Sequence, residues 1–318
     1  MKNRLKNKKI FSPEFSQYSG IILVLIVLCV LLSVTTDSFA SARNITNVLR
    51  QISITGVLAV GMSFAFIVGE IDLSVGSVVG FMGGLFTLML AKDFPFVAAL
   101  LIVIALAIVI GLVNGMITTH FMIPSFVATL AMEYILRGGL YIMSGGTPIT
   151  GLPDWFVDFG LSSVLGVPSP VWLMFLVFVI GWIILAQTTL GRNLFAIGGN
   201  IKAAEYSGIN VFWIKSSAFV ICSVCAAFAA VLQVARLGSA QPSAGTGMEM
   251  EAITAACLGG MSMGGGYGSV IGVLIGTCLL GVISNGMVLL DINSYYQLIV
   301  KGLIILGAVL YNMRNNRK

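Results

Sequence analysis

About ten strongly apolar stretches fill this chain between residues 18 and 312, and no segment between them is long enough to fold as a soluble domain. A helix needs roughly 20 apolar residues to cross about 30 Å of hydrocarbon. Stretches of that kind lie near 19–35, 48–68, 73–91, 96–117, 123–143, 170–187, 214–235, 250–263, 268–290 and 295–312, with the one at 250–263 short and glycine-rich. Charged residues make up only 9% of the chain and the mean hydropathy is +1.03, which is far from a water-soluble balance. In a bilayer every backbone polar group needs an internal partner, and helices supply it. The run 21–32 lacks the alternation that a transmembrane barrel requires. The expectation is an all-α polytopic membrane protein with about ten transmembrane helices, a single transmembrane domain over 1–318.

Basic residues set the orientation. Lys2, Arg4, Lys6, Lys8 and Lys9 open the chain, and Arg314, Arg317 and Lys318 close it. Such residues favour the cytoplasmic side, and an even number of spans puts both termini there. The same count makes 188–213 cytoplasmic, in keeping with Arg192, Lys202 and the nearby Lys215. It makes 144–169 external, in keeping with the absence of Lys and Arg from that loop. Residues 1–17 are then a basic cytoplasmic tail. The first apolar stretch reads as a retained span, because no small-residue cleavage site follows it. The net charge of +5 reflects this orientation and is no argument for nucleic acid.

Short segments recur. Gly76-Ser-Val-Val-Gly80 returns as Gly268-Ser-Val-Ile-Gly272, Asn114-Gly-Met116 as Asn285-Gly-Met287, and Leu140-Tyr-Ile-Met143 as Leu310-Tyr-Asn-Met313, in the same order. Internal duplication is common in transporters, with the pathway at the repeat interface; chance matching in an apolar, glycine-rich chain is the competing reading. The 37 glycines allow helices to approach closely in lipid either way. Cys29, Cys222, Cys225, Cys257 and Cys278 all fall in apolar stretches. They read as small hydrophobes, the CxxC-spaced Cys222 and Cys225 included.

No GxxxxGK[ST] phosphate loop is present, and Gly-Lys occurs nowhere, so the chain does not hydrolyse ATP by that chemistry. It has one histidine, His120, at an expected cytoplasmic turn, and no HExxH. The energy source is therefore an ion gradient or a partner protein. A gradient-driven carrier is expected to place acids within its spans. The intramembrane charges here are few: Glu70, Asp72, Glu133, Arg137 and Lys301. Glu133 and Arg137 sit four apart, a spacing that permits a local ion pair, with a direct transport role as the alternative. Asp72 opens Asp-Leu-Ser-Val as a candidate N-cap, and Glu70 two residues earlier would point elsewhere. Lys301 has no acid within reach on its own span, so it either snorkels or pairs with another helix. Together these make no proton or sodium relay.

Within 188–213, Asn200 suits an N-cap and Gly208 a helix stop. The short helix expected between them carries Ala203, Ala204 and Ser207, small enough to lie in another protein's cleft. A solvated connector is the plain alternative.

Five stretches carry a resemblance. They are Gly69-Glu-Ile-Asp-Leu-Ser-Val-Gly-Ser77, Ala196-Ile-Gly-Gly-Asn-Ile-Lys-Ala-Ala-Glu-Tyr-Ser-Gly-Ile-Asn210, Ala235-Arg-Leu-Gly-Ser-Ala-Gln-Pro-Ser-Ala-Gly-Thr-Gly247, Leu258-Gly-Gly-Met-Ser-Met-Gly-Gly-Gly-Tyr-Gly268 and Ser294-Tyr-Tyr-Gln-Leu-Ile-Val-Lys-Gly302. The chain resembles the permease subunit of ribose-type sugar ABC importers, the branch that also serves xylose, allose, galactose and autoinducer-2. The resemblance runs from the second span to the last. It implies a bacterial cytoplasmic (inner) membrane location and a second permease subunit, with a homodimer expected. It also implies an ABC ATPase with two nucleotide-binding domains and an extracytoplasmic sugar-binding protein. ATP and Mg belong to that ATPase, and this chain holds no cofactor of its own. The loop matching Gly198, Gly199, Asn200, Ala203, Ala204, Glu205 and Gly208 is implied to contact the ATPase. Glu70 departs from the family pattern, which has a small or uncharged residue there. Candidate pathway residues are Ser74, Asn114, Gln241 and Asn285, whose hydroxyls and amides hydrogen-bond a neutral sugar in passing; each serves equally well as packing glue. The look of 239–247 favours ribose. An ion-coupled secondary carrier for a small polar solute is the alternative, and a stand-alone membrane enzyme ranks third.

Overall fold

The computed structural model describes residues 13–315, with side chains placed over 18–310. The basic cluster Lys2–Lys9 and the terminal Arg317 and Lys318 lie outside the described residues, as do the side chains of Tyr311, Met313 and Arg314. The described chain is mostly helical, with connecting loops and one two-stranded hairpin. In order it forms α1 (Pro13–Thr35), α2 (Ala42–Ile67), α3 (Val75–Leu90), α4 (Phe96–Thr119), α5 (Ser125–Ser144), α6 (Asp154–Leu161), β1 (Ser163–Val164), β2 (Val167–Pro168), α7 (Ser169–Gln187), α8 (Thr189–Gly199), α9 (Ile201–Tyr206), α10 (Val211–Leu237), α11 (Met248–Leu258), α12 (Val270–Leu289) and α13 (Ser294–Asn315).

Each of the ten apolar stretches carries a helix, but not all of them make a full span. Among the described residues seven helices are long and apolar enough to cross a membrane: α1, α2, α4, α5, α7, α10 and α12. α3 has 16 residues and α11 only 11. Both are short because the chain next to them leaves the helix. Gly69 follows α2 at φ +77°, and 70–74 runs without helix to α3. Gly238 closes α10 in the left-handed conformation, and Gly245 and Gly247 hold the same sign of φ before α11. Irregular backbone at membrane depth survives only where protein covers it, and Val68, Asp72 and Ser74 are indeed buried.

α2 and α10 form the centre, buried for most of their length. α10 lies along α4, α2 and α3; α12 packs on α11, α2 and α1; α5 packs on α3, and α7 on α2. Glycine sets the close crossing of α4 on α10. A Cβ on Gly111 or Gly115 of α4 would stand 2.5 or 2.6 Å from the Cα of Val220 or Ser216 on α10. Cys222 and Cys225 fit the same scheme, packed as small buried side chains against Gly61 of α2. Away from the centre, apolar side chains such as Leu23, Leu101, Val109, Phe175 and Leu303 are exposed. In a lipid solvent that is the expected outer surface, because packing rather than apolar burial holds such helices together.

At one end of the bundle the loops are tied to each other. Ile149 and Ala240 exchange two backbone hydrogen bonds of 2.9 Å. Trp155 of α6 meets Phe96 edge-on at 5.4 Å, and Arg50 donates to the carbonyl of Leu161. At the other end α8 meets the end of α2 and the loop that follows α11, and α9 packs on α8 and α10.

Candidate functional site

The segment expected to dock a partner folds as two short helices. Thr188 caps α8 by accepting from Gly191 N at 3.2 Å, and Asn200 caps α9 by accepting from Ala203 N at 3.0 Å. Gly208 ends α9 at φ +81°, a conformation that favours glycine. Ile201, Lys202, Ala203, Glu205 and Tyr206 are exposed, Tyr206 at 89%, whereas Ala204 is 4% exposed and faces its own chain. The outward surface of α9 is therefore centred on Lys202, Ala203 and Tyr206, and Ala204 anchors the helix from behind.

Gly198 brings this segment against both breaks. A Cβ there would lie 1.8 Å from Ile67 O and 2.4 Å from Gly266 N, while Gly199 and Gly208 face open space. Gly266 N itself donates to Ile67 O at 2.9 Å. The end of α2, the end of α8 and the loop joining α11 to α12 thus meet backbone to backbone.

The break at 68–74 is satisfied by neighbouring helices. Ser125 and Thr129 of α5 accept from the backbone N–H groups of Ile71 and Leu73 at 3.2 and 3.0 Å. Asp72 is not the N-cap of α3; Ser74 occupies that position. The Asp72 carboxylate accepts from both Ser74 N, at 2.9 Å, and Ser74 Oγ, closing a turn two residues ahead instead of capping the helix. Asn114 of α4 donates to Ser74 Oγ at 3.0 Å, and Asp72, Ser74 and Asn114 are all fully buried. Glu70 pairs with Lys215 of α10.

Of the remaining intramembrane charges, Arg137 and Lys301 find partners on other elements. Glu133 and Arg137 make no ion pair; Arg137 donates to the carbonyl of Ala244. That carbonyl is available because 238–247 is not helical, and it lies within reach of the Arg137 guanidinium. Lys301 of α13 pairs with Glu251 of α11 at 2.6 Å, so pairing across helices is its outcome. Thr55 donates to Glu251 Oε2 at 3.5 Å, and Gln51, Thr277 and Ser284 line the same small cavity. Asn285 and Asn44 exchange two amide bonds of 3.0 and 2.8 Å, and Gln241 donates to Ser239 Oγ at 2.9 Å. The four pathway candidates therefore fall into three separate places: Ser74 with Asn114, Asn285 with Asn44, and Gln241 in the loop before α11.

Sequence reasoning missed Glu251, Tyr206 and the pairing role of Lys215. A readable signal existed for Ser125 and Thr129, two hydroxyls four apart on one helix face. Gly260-Met261-Ser262-Met263-Gly264 has the spacing of a hydrolase nucleophile elbow. Here it follows a helix rather than a strand, Ser262 is 2% exposed, and the only histidine, His120, ends α4. Among the described residues no group of His, Cys, Asp and Glu is placed to hold a metal ion.

Residues 44–309 match the family described as branched-chain amino acid transport system / permease component. The chain is 40% identical over 310 residues to the ribose import permease protein RbsC of Escherichia coli (strain K12), covering 96% of this chain and 97% of that protein. It is 39% identical over 313 residues to the ribose import permease protein RbsC of Bacillus subtilis (strain 168), covering 98% and 97%. It is 37% identical over 301 residues to the D-allose transport system permease protein AlsC of Escherichia coli (strain K12), covering 94% and 92%. No solved structure matches.

Proposed function

The chain belongs to the branched-chain amino acid transport system / permease component family, and on that premise we propose that it is the membrane subunit of an ABC importer passing ribose from an external binding protein into the cytoplasm. ATP hydrolysis in a partner ATPase drives the step. The observation that carries this reading is the near-full-length similarity to ribose permeases, with D-allose, L-arabinose and xylose permeases behind them. The substrate in the family description is an amino acid, but the relatives at 35–40% identity are named for sugars. The protein is a multi-pass membrane protein that transports rather than catalyses.

The finer architecture belongs to the same proposal. A homodimer of this chain, each copy one membrane domain with ten membrane-embedded helices and both termini cytoplasmic, presents 188–213 to an ATPase that holds ATP and Mg. The contact surface includes Gly199, Asn200, Ala203, Glu205 and Gly208, with Gly198 and Ala204 supporting it from behind. The two broken spans, α2–α3 and 238–258, support a duplicated transporter plan with irregular backbone at its centre. Ser74, Asn114, Gln241 and Asn285 remain the proposed polar contacts for a sugar that the binding protein has already selected. Glu70 and Glu251 are each paired with lysine and Asp72 is held by Ser74, whereas Glu133 and the buried Glu249 have no basic partner within ion-pair distance among the described residues. The choice of the importer over a carrier working alone therefore rests on the relatives.

The test is initial uptake of labelled ribose at low concentration in cells with and without this chain, with unlabelled monosaccharides as competitors. Loss of uptake on deletion, with weak competition by other sugars, is expected. Unchanged uptake would reject ribose as the substrate.

A further inference from the structure

We propose that Glu70 and Lys215 form a latch through which movement of the docking segment reaches the break between α2 and α3. They are positioning residues for transport, and neither touches the sugar. This inference rests on the reading of α8 and α9 as the ATPase contact.

Lys215 sits in the second turn of α10, directly after the connection from α9. Its helix start is fixed by Asn210, which accepts from Trp213 N at 3.2 Å. The side chains of Lys215 and Glu70 keep only 11% and 13% of their exposure. Burying two charges costs about as much as their attraction returns, so a well-packed apolar pair would serve static stability at least equally. What an ion pair adds is a directed link between two elements. The link does not stand alone. Gly198, at the other end of the docking segment, abuts Ile67 O and Gly266 N. The docking segment thus meets the chain around the break on both sides of α9: Gly198 before it at Ile67, where α2 ends, and Lys215 after it at Glu70 inside the break. A shift of α9 moves both holds together.

The break in turn has a route outward. Glu70 N donates to Ala65 O at 2.9 Å, which fixes the start of the break to α2. Ile71 and Leu73 are bonded to Ser125 and Thr129 of α5, and Ser74 to Asn114 of α4. A pull on Glu70 therefore reaches α4 and α5 through hydrogen bonds rather than through loose packing.

The experiment uses the assembled importer, this chain with its ATPase and binding protein in lipid vesicles. Sugar uptake, ATP hydrolysis and the amount of ATPase retained on purification are measured together. Glu70→Gln and Lys215→Met are each expected to lower uptake about tenfold while the ATPase stays bound and hydrolyses ATP. The exchange Glu70→Lys with Lys215→Glu is expected to recover most of that loss. Normal uptake in both single variants overturns the latch. So does an exchange variant no better than the poorer single variant, and so does loss of uptake in step with loss of bound ATPase. If α9 is not the docking helix, Tyr206→Ala with Lys202→Glu will leave the ATPase fully bound, an outcome separate from any result at Glu70.

Discussion

At Gly198 a hydrogen in place of a methyl group decides whether three backbone segments meet. A Cβ would lie 1.8 Å from Ile67 O, and the obstruction is backbone rather than a side chain that can turn aside. Gly198→Ala is therefore expected to destabilise the protein by about 1–3 kcal/mol or to part the segments, as overpacking does elsewhere. Gly199→Ala, which meets open space, is expected to leave thermal unfolding of the detergent-solubilised protein unchanged. Thr129 offers a second test. Its hydroxyl accepts from Leu73 N in a fully buried place, so Thr129→Val strands a backbone donor at a cost of about 1–3 kcal/mol. Thr129→Ser keeps the acceptor and is expected to lose far less. A melting temperature equal for Thr129→Val and the native protein would remove this hydroxyl from any part in holding the break.

A helix of six residues such as α9 has little stability of its own, and its cap at Asn200 and the buried Ala204 hold it in place. Substitution on its two faces separates the roles. Ala204→Arg is expected to expel the helix from its seat and lower the yield of folded protein. Lys202→Glu with Tyr206→Ala is expected to leave the fold intact and reduce the ATPase recovered with this chain on purification. Equal recovery of ATPase would move the docking surface elsewhere. α11 and α13 offer a similar contrast. Lys301→Met leaves Glu251 without its partner; the loss is expected to fall below the about 3–5 kcal/mol typical of a fully buried pair, since the two side chains keep 29% and 23% of their exposure. Adding Glu251→Gln is expected to restore much of the thermal stability, and failure to do so would mean that the pair contributes little.

For the whole molecule the expectation is topological: fluorescent fusions at either end, active only in the cytoplasm, should both be bright, and one dark terminus would break the even count of spans. The membrane solvent and the helical class were legible without coordinates, because a bilayer accepts about 20 apolar residues in a row as a helix and almost nothing else. Short-range features were legible for a like reason. The Asn200 cap and the Gly208 stop depend on neighbours three or four residues away. The partners of isolated charges were not. Glu70 reaches Lys215 across 145 residues and Lys301 reaches Glu251 across 50, and nothing along either helix fixes which side chains its packing will bring near. Even the permissive spacing of Glu133 and Arg137 lost to a carbonyl 107 residues away. That carbonyl became available only because the chain before α11 is unwound and pressed against α3, where Gly80 leaves room for Ala244. Local chemistry thus settled the two ends of α9, but not the start of α3, where Asp72 turns inward to Ser74 instead of capping. Which polar groups meet inside the membrane was decided by how closely the helices pack, and that exists only in three dimensions.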